Sequence, residues 1–255
     1  MRRRGATLML AVAALAVTAG SAGRTGPAVA AVSPAVVTIQ FDDGNANQVT
    51  AAQMLADHGM VGTFYVNTGF IDQDADHLTW TDLTNMSLAG NEIAGHTLTH
   101  KNLKHLKPAA AQQQICQDRQ NLIDHGFQPT DFAYPFGAFD AGTEAIVKQC
   151  GYSSGRGVAG GTETIPPLDP FATRTPPNPK KGTQVATIEG YVTDAQNSGG
   201  GWVQLVFHNV CLKCDAYAIT PTHFEELLTW LDGQRTNGSV LIETTQQVMS
   251  RTGPP

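Results

Sequence analysis

The stretch VVTIQFDDGNANQVTAAQMLADHGMVGTFYVN, Val36 to Asn67, contains a strand-like run, a helix-like run and a second strand-like run in succession. VVTIQF is rich in β-branched and aromatic residues, which favour a pleated, half-buried surface. NQVTAAQMLADHG reads as a helix closed by a glycine, and VGTFYVN returns to strand character. The first strand ends in Asp42, Asp43 and Gly44. Neighbouring carboxylates repel, and removing them from water costs more still. A positive partner at that strand end, or a chemical role for one of the carboxylates, is therefore expected.

The same alternation continues along the chain. TWTDLTNMSLAG, KPAAAQQQICQDRQNLIDHG, AGTEAIVKQCG and PTHFEELLTWLDGQRTNG read as helices. NEIAGH, DFAYPFG, YSSGRGV, WVQLVFHNV and SVLIETT read as strands. Strands and helices in alternation argue for a parallel sheet with helices outside it. Gly59, Gly126 and Gly151 each close a helical run, where a left-handed residue is needed, and His58 and His125 precede two of them, suited to the negative helix end. Residues 159–183, rich in Gly, Pro and Thr, are expected to form a long loop rather than a second domain.

Residues 1–30 read as a secretory signal peptide: a basic start in MRRRGAT, an apolar LMLAVAALAVTAG and a small-residue cleavage pattern in AVA, Ala28 to Ala30. The apolar run is short for a membrane anchor, which is the competing reading, and the arginines leave export by the twin-arginine route open. Residues 31–255 are then one domain, of a length usual for a single α/β barrel. Without the leader the net charge moves from −6 to about −10. So acidic a body is a poor match to nucleic acid or anionic lipid. No span of the membrane is expected once the leader is removed, and a monomer is the working expectation. The four cysteines suit an oxidising compartment and allow three pairings. Cys211 and Cys214 are placed for a small local loop, which leaves Cys116 with Cys150. HNVCLKC also fits a metal knuckle formed by His208 and those two cysteines, although a secreted disulfide reads better.

In parallel α/β folds, chemistry gathers where the strands end. Asp42 and Asp43 follow the first strand, His96 and His100 the NEIAG strand, Tyr134, Pro135, Phe136 and Gly137 the DFA strand, and His208 the WVQLVF strand. On a helical turn, histidines four apart face one side. Two imidazoles, a carboxylate and open positions make a hydrolytic metal site, most often for zinc. A divalent cation would also explain the aspartate pair. For both carboxylates to reach one site, the strand should stop near Phe41, because neighbours within a strand face opposite ways, and Gly44 permits the turn. Trp80, Tyr134 and Trp202 are candidates for stacking on sugar rings, though each reads as well as core.

FDDG, HTLTH, FAYPFG and LVFH, in that order over residues 36 to 248, resemble the polysaccharide deacetylases of the NodB-homology type, carbohydrate esterase family four. The resemblance implies a deformed (β/α) barrel of about seven parallel strands and a divalent metal, Zn2+ before Co2+ or another cation. It also implies an acetylated polysaccharide as substrate. Asp43, His96 and His100 match the metal ligands, Asp42 the general base and His208 the general acid. Phe136 matches the aromatic position whose backbone N–H holds the oxyanion. Two departures stand out. Ala133 occupies the place where many members carry an arginine that orients the base, with Arg174 the candidate replacement. The aspartate that tethers the acid histidine is not visible, with Asp169 a weak stand-in. The leading expectation is removal of N-acetyl groups from a glycan such as chitin or peptidoglycan. An O-acetyl ester hydrolase on xylan, or a carbohydrate-binding protein on a decayed scaffold, are the alternatives.

Overall fold

A computed structural model describes residues 34–251, so the expected leader at residues 1–30 lies outside the described residues. The strands are β1 (Ala35–Asp43), β2 (Gly62–Val66), β3 (Glu92–Gly95), β4 (Asp131–Ala133), β5 (Ser154–Gly160), β6 (Thr173–Thr175), β7 (Gly201–Phe207), β8 (Asn209–Val210), β9 (Ala218–Ile219) and β10 (Val240–Ile242). The helices are α1 (Gln48–Asp57), α2 (Trp80–Leu88), α3 (Pro108–Asp124), α4 (Ala141–Gln149), α5 (Val185–Asn197), α6 (Pro221–Thr236) and α7 (Thr245–Met249).

Seven parallel strands, β1 to β7, curl into a deformed barrel, with short β10 added beside β1. One edge of β1 is shared: Ala35–Val37 pair with β10 and Ile39–Asp43 with β2. Its other edge pairs with β7 from Ala35 to Phe41. Side-chain bonds from Gln204 and a backbone bridge at Glu163 complete the closure beside β6 and β7. Gln204 Nε2 donates to Thr173 Oγ1 at 3.1 Å and to the Arg174 carbonyl at 2.8 Å, and Glu163 and Trp202 exchange two backbone hydrogen bonds of 2.8 Å.

The period of two along β1 decides what each face does. Val37, Ile39 and Phe41 point to the helices, where Phe41 stacks on Phe64 at 4.8 Å and meets Phe207 and Phe224 at 5.8 Å each. Thr38, Gln40 and Asp42 form the alternate set and are buried. Gln40 Nε2 donates to Gln204 Oε1 (2.8 Å) and to Thr245 Oγ1 (3.0 Å), so the buried NH2 group finds acceptors on two other elements. A second core, with Ile115, Phe132, Val147 and Tyr152, lies under α3 and α4.

Both expected disulfides are present, Cys116 with Cys150 and Cys211 with Cys214, at Cα separations of 5.0 and 6.0 Å. The sulfurs of HNVCLKC are thus joined to each other, which removes the metal-knuckle alternative. Gly59, Gly126 and Gly151 have φ of 60°, 89° and 95° after their helices. His125 Nδ1 lies 2.8 Å from the Asn121 carbonyl at its helix end, whereas His58 pairs with Glu225. The expected loop over residues 159–183 contains β6, and two helices are absent from the sequence reading: α5, which packs in the outer layer, and α7, which packs against Val36 and Trp202.

Candidate active site

The C-terminal ends of β1, β3, β5 and β7 deliver the polar residues to one mouth of the barrel. β1 does not stop at Phe41. It pairs with β2 through Asp43, and the turn is made by torsion: Asp43 has φ 79° and Gly44 φ 73°. A left-handed Asp43 swings its carboxylate to the mouth that Asp42 reaches by ordinary alternation. The loop after β3 behaves likewise. His96 and His100 lie on no helical turn, contrary to the spacing-based expectation; Thr97 and His100 have φ of 74° and 50°. With Phe136 at 60°, four of the five left-handed non-glycine residues among the described residues lie at this site. Each such residue costs about 1–3 kcal/mol, and they cluster where function requires a fixed geometry.

Asp43 Oδ1 sits 3.5 Å from His96 Nε2 and 3.3 Å from His100 Nε2, and the three ligand atoms lie within 4.8 Å of one another. Donors at ~2.1 Å from a tetrahedral ion stand about 3.4 Å apart, so these residues fit a zinc-like cation. Asp43 Oδ1 is buried with no hydrogen-bond donor, as an oxygen reserved for a cation would be. His96 Nδ1 lies 2.8 Å from the Ala133 carbonyl, which fixes the tautomer with Nε2 free toward Asp43. Burial and the neighbouring His96 push His100 down to about 4, leaving it neutral and ready to ligate. Burial alone would lower His96, but the charges of Asp42 and Asp43 outweigh it and raise its pKa. Ligation needs the neutral ring, so metal affinity weakens as pH falls.

Asp42 is buried beside the triad. Burial would raise its pKa, but Arg156, then His96 and His208, hold it below the usual carboxylate range. Arg156 Nη2 donates to Asp42 Oδ1 at 2.5 Å, Nη1 to the Gly157 carbonyl at 3.0 Å, and the guanidinium lies 4.9 Å over the Tyr65 ring. The arginine expected at position 174 therefore comes from β5 instead. Arg174 is 41% exposed in its side chain and pairs with Glu163 through Nε and Nη2, at 3.2 and 3.0 Å. Asp169 is also corrected: it accepts from the Phe171 N–H, and His208 Nδ1 has no hydrogen-bond partner.

A cavity of about 260 Å³ opens over these groups, lined by Asp42, Asp43, His96, His100 and His208, with Phe136 and Tyr217 among its walls. Of the FAYPFG residues only Phe136 lines it; Tyr134 and Pro135 are buried. Gly137 backs onto β5, where an added Cβ would stand 2.3 Å from Val158 Cγ2. The aromatics expected to meet sugar are mostly core. Trp202 donates to Thr38, Tyr134 to the Phe171 carbonyl, and Trp80 stacks on His125 at 3.5 Å. The rings that face solvent at the site are Phe136, 64% exposed against His100, and Tyr217, 39% exposed against His208. Arg156 and Tyr217 were missed in the sequence. For Arg156 one signal existed: a lone charge between glycines in the strand-like SSGRGV.

A curled parallel α/β barrel carries at its strand ends an Asp-His-His cluster that could hold a metal ion, beside a second, arginine-held aspartate. The sequence pattern of the family described as "Polysaccharide deacetylase" matches residues 30–155. The chain is 32% identical over 122 residues to "Putative polysaccharide deacetylase YxkH" of Bacillus subtilis (strain 168), a match covering 47% of this chain and 43% of that protein. It thus spans less than half the length of that curated relative. Among solved structures, it resembles the Xyl-CE4 domain of a multidomain xylanase from the hindgut metagenome of Trinervitermes trinervoides. There the TM-score is 0.58 at 12% identity, over 84% of this chain and 89% of that one. It also resembles a mutant of the peptidoglycan deacetylase PdaC from Bacillus subtilis, with TM-score 0.56, 20% identity and coverage of 84% and 90%. Identities this low speak to the fold alone. Residues 30–155 of the chain belong to the polysaccharide deacetylase family. The matched residues include Asp42, Asp43, His96, His100 and Phe136; Arg156 and His208 lie beyond them and rest on the geometry.

Proposed function

We propose that the protein is a secreted, metal-dependent deacetylase that hydrolyses the carbon–nitrogen bond of N-acetyl groups on a glycan. The observation that carries this reading is the convergence of Asp43, His96 and His100 at 3.3 and 3.5 Å beside an ionised Asp42 clamped by Arg156. A divalent ion held there, zinc before cobalt, would polarise the acetyl carbonyl and make water a better nucleophile. The protein's own groups do the rest. Asp42 accepts the proton of the attacking water as its oxygen bonds to the carbonyl carbon. The backbone N–H of Phe136 is the candidate donor to the oxyanion, fixed by the turn that Pro135 and Gly137 bound. His208 protonates the departing nitrogen as the carbon–nitrogen bond breaks, giving acetate and a free amine. An amide needs that proton most, because an amine anion is a very poor leaving group. Phe136 and Tyr217 offer apolar faces for a pyranose ring. Secretion rests on residues 1–30, and the two disulfides agree with an oxidising compartment.

The test is acetate release from N-acetyl-chitooligosaccharides compared with acetylxylan, using wild type and Asp42→Asn. Wild type should deacetylate the chitooligosaccharide. Asp42→Asn should keep its metal and lose about 10²- to 10⁴-fold in kcat. Full activity in Asp42→Asn would remove it from the base role, and release from acetylxylan alone would make the protein an ester hydrolase.

A further inference from the structure

We propose that Gln114 and Asp118, on the inner face of α3, are positioning residues that template the His96–His100 loop for the cation. This rests on the metal-centre reading above. Gln114, Asp118 and Asn121 fall at i, i+4 and i+7 and share one face of the helix. Asp118 is fully buried; its Oδ1 accepts the Thr68 N–H at 3.0 Å and its Oδ2 the His96 N–H at 3.1 Å. One carboxylate thereby ties the loop after β2 to the first histidine after β3. Gln114 holds the next residues: its backbone carbonyl accepts from Leu98 N–H and its Oε1 from Thr99 N–H, both at 2.9 Å. Asn121 Nδ2 donates to Thr68 Oγ1 at 3.0 Å.

The bonds to His96, Leu98 and Thr99 interleave with the two left-handed residues of the loop, Thr97 and His100. A strained torsion persists only where its surroundings over-determine it, and α3 supplies that determination. Released from the helix, the segment would relax toward ordinary φ and carry the His100 ring away from Asp43. The fit is close on the strand side too, since a Cβ on Gly95 would stand 2.8 Å from Asp118 Oδ2 and 2.0 Å from the Tyr152 hydroxyl. Asp118→Asn replaces one acceptor by an NH2 that faces a backbone donor, so one of the two bonds must fail. Gln114→Ala removes the Thr99 anchor at a half-buried position without placing a donor against a donor.

The experiment titrates Co2+ and Zn2+ into metal-free full-length wild type, Gln114→Ala and Asp118→Asn. It follows Kd by calorimetry and the Co2+ visible absorption, with thermal melting of each metal-free protein alongside. Both variants should bind about 10- to 100-fold more weakly with an altered Co2+ spectrum, while metal-free Gln114→Ala melts within a few degrees of wild type. If Asp118→Asn does not fold, Gln114→Ala decides. Wild-type Kd and spectrum in the folded variants would overturn the template while leaving the metal centre standing. A wild type that binds neither ion would overturn both.

Discussion

At Asp43 a single torsion, φ 79°, brings two neighbouring carboxylates to one site, and Arg156 decides what the second of them is. The Arg156–Asp42 pair is almost wholly buried, so removing the cation strands a charge. Arg156→Ala should lose about 3–5 kcal/mol of stability and most of its turnover. Arg174→Ala, whose partner is Glu163, should leave kcat per folded molecule unchanged. Urea unfolding and acetate release on both variants check this, and a rate loss confined to Arg174→Ala would reverse the assignment. The two ligand histidines and both aspartates were legible because each pair sits close together in sequence at a strand end. Arg156 was not, because its partner lies 114 residues away and no local spacing encodes a contact across the barrel.

The strand–helix alternation was readable wherever an element was long enough to show its period. Three-residue β6, Thr-Arg-Thr, carries no apolar side chain, unlike the equally short β4 and β10, and α5 carries Gly190 and several β-branched residues behind a Pro/Gly-rich stretch, which weakens its helical signal. The His96–His100 segment misled for another reason: spacing of four fits a helical turn, but the chain brings the rings together by left-handed torsions that leave no pattern in side-chain type. The two disulfides should differ in what they stabilise. Cys116–Cys150 spans 34 residues between α3 and the end of α4, whereas Cys211–Cys214 spans 3. Loop-closure entropy gives about 4 kcal/mol for the first and about 2 kcal/mol for the second. Paired Cys→Ser variants compared by chemical denaturation test that order, and a larger loss from the short loop would contradict it.

The barrel as a whole encloses polar groups that composition alone does not foretell, and one pair ties stability to pH. Glu92 is buried on β3, with Oε2 accepting from Thr63 and the Gln246 N–H; burial, and then the charge of Asp131, raise its pKa well above the usual range. The folded state therefore holds a proton that the unfolded chain releases above pH about 4.5. Stability from this group is fully present below that value and declines as pH rises toward the folded pKa, by at most about 1.4 kcal/mol per pH unit. Asp42 and Asp43, both depressed, act in the opposite sense and lose their contribution on acidification. Melting curves from pH 5 to 9 should show a steeper alkaline decline in wild type than in Glu92→Gln, and equal slopes would contradict this. The account as a whole turns on the metal centre. Equilibrium titration of Zn2+ into the metal-free protein should give one ion per chain in wild type and in Asp42→Asn, and none of comparable affinity in Asp43→Ala. Undiminished binding by Asp43→Ala, or no binding by wild type, would contradict the account.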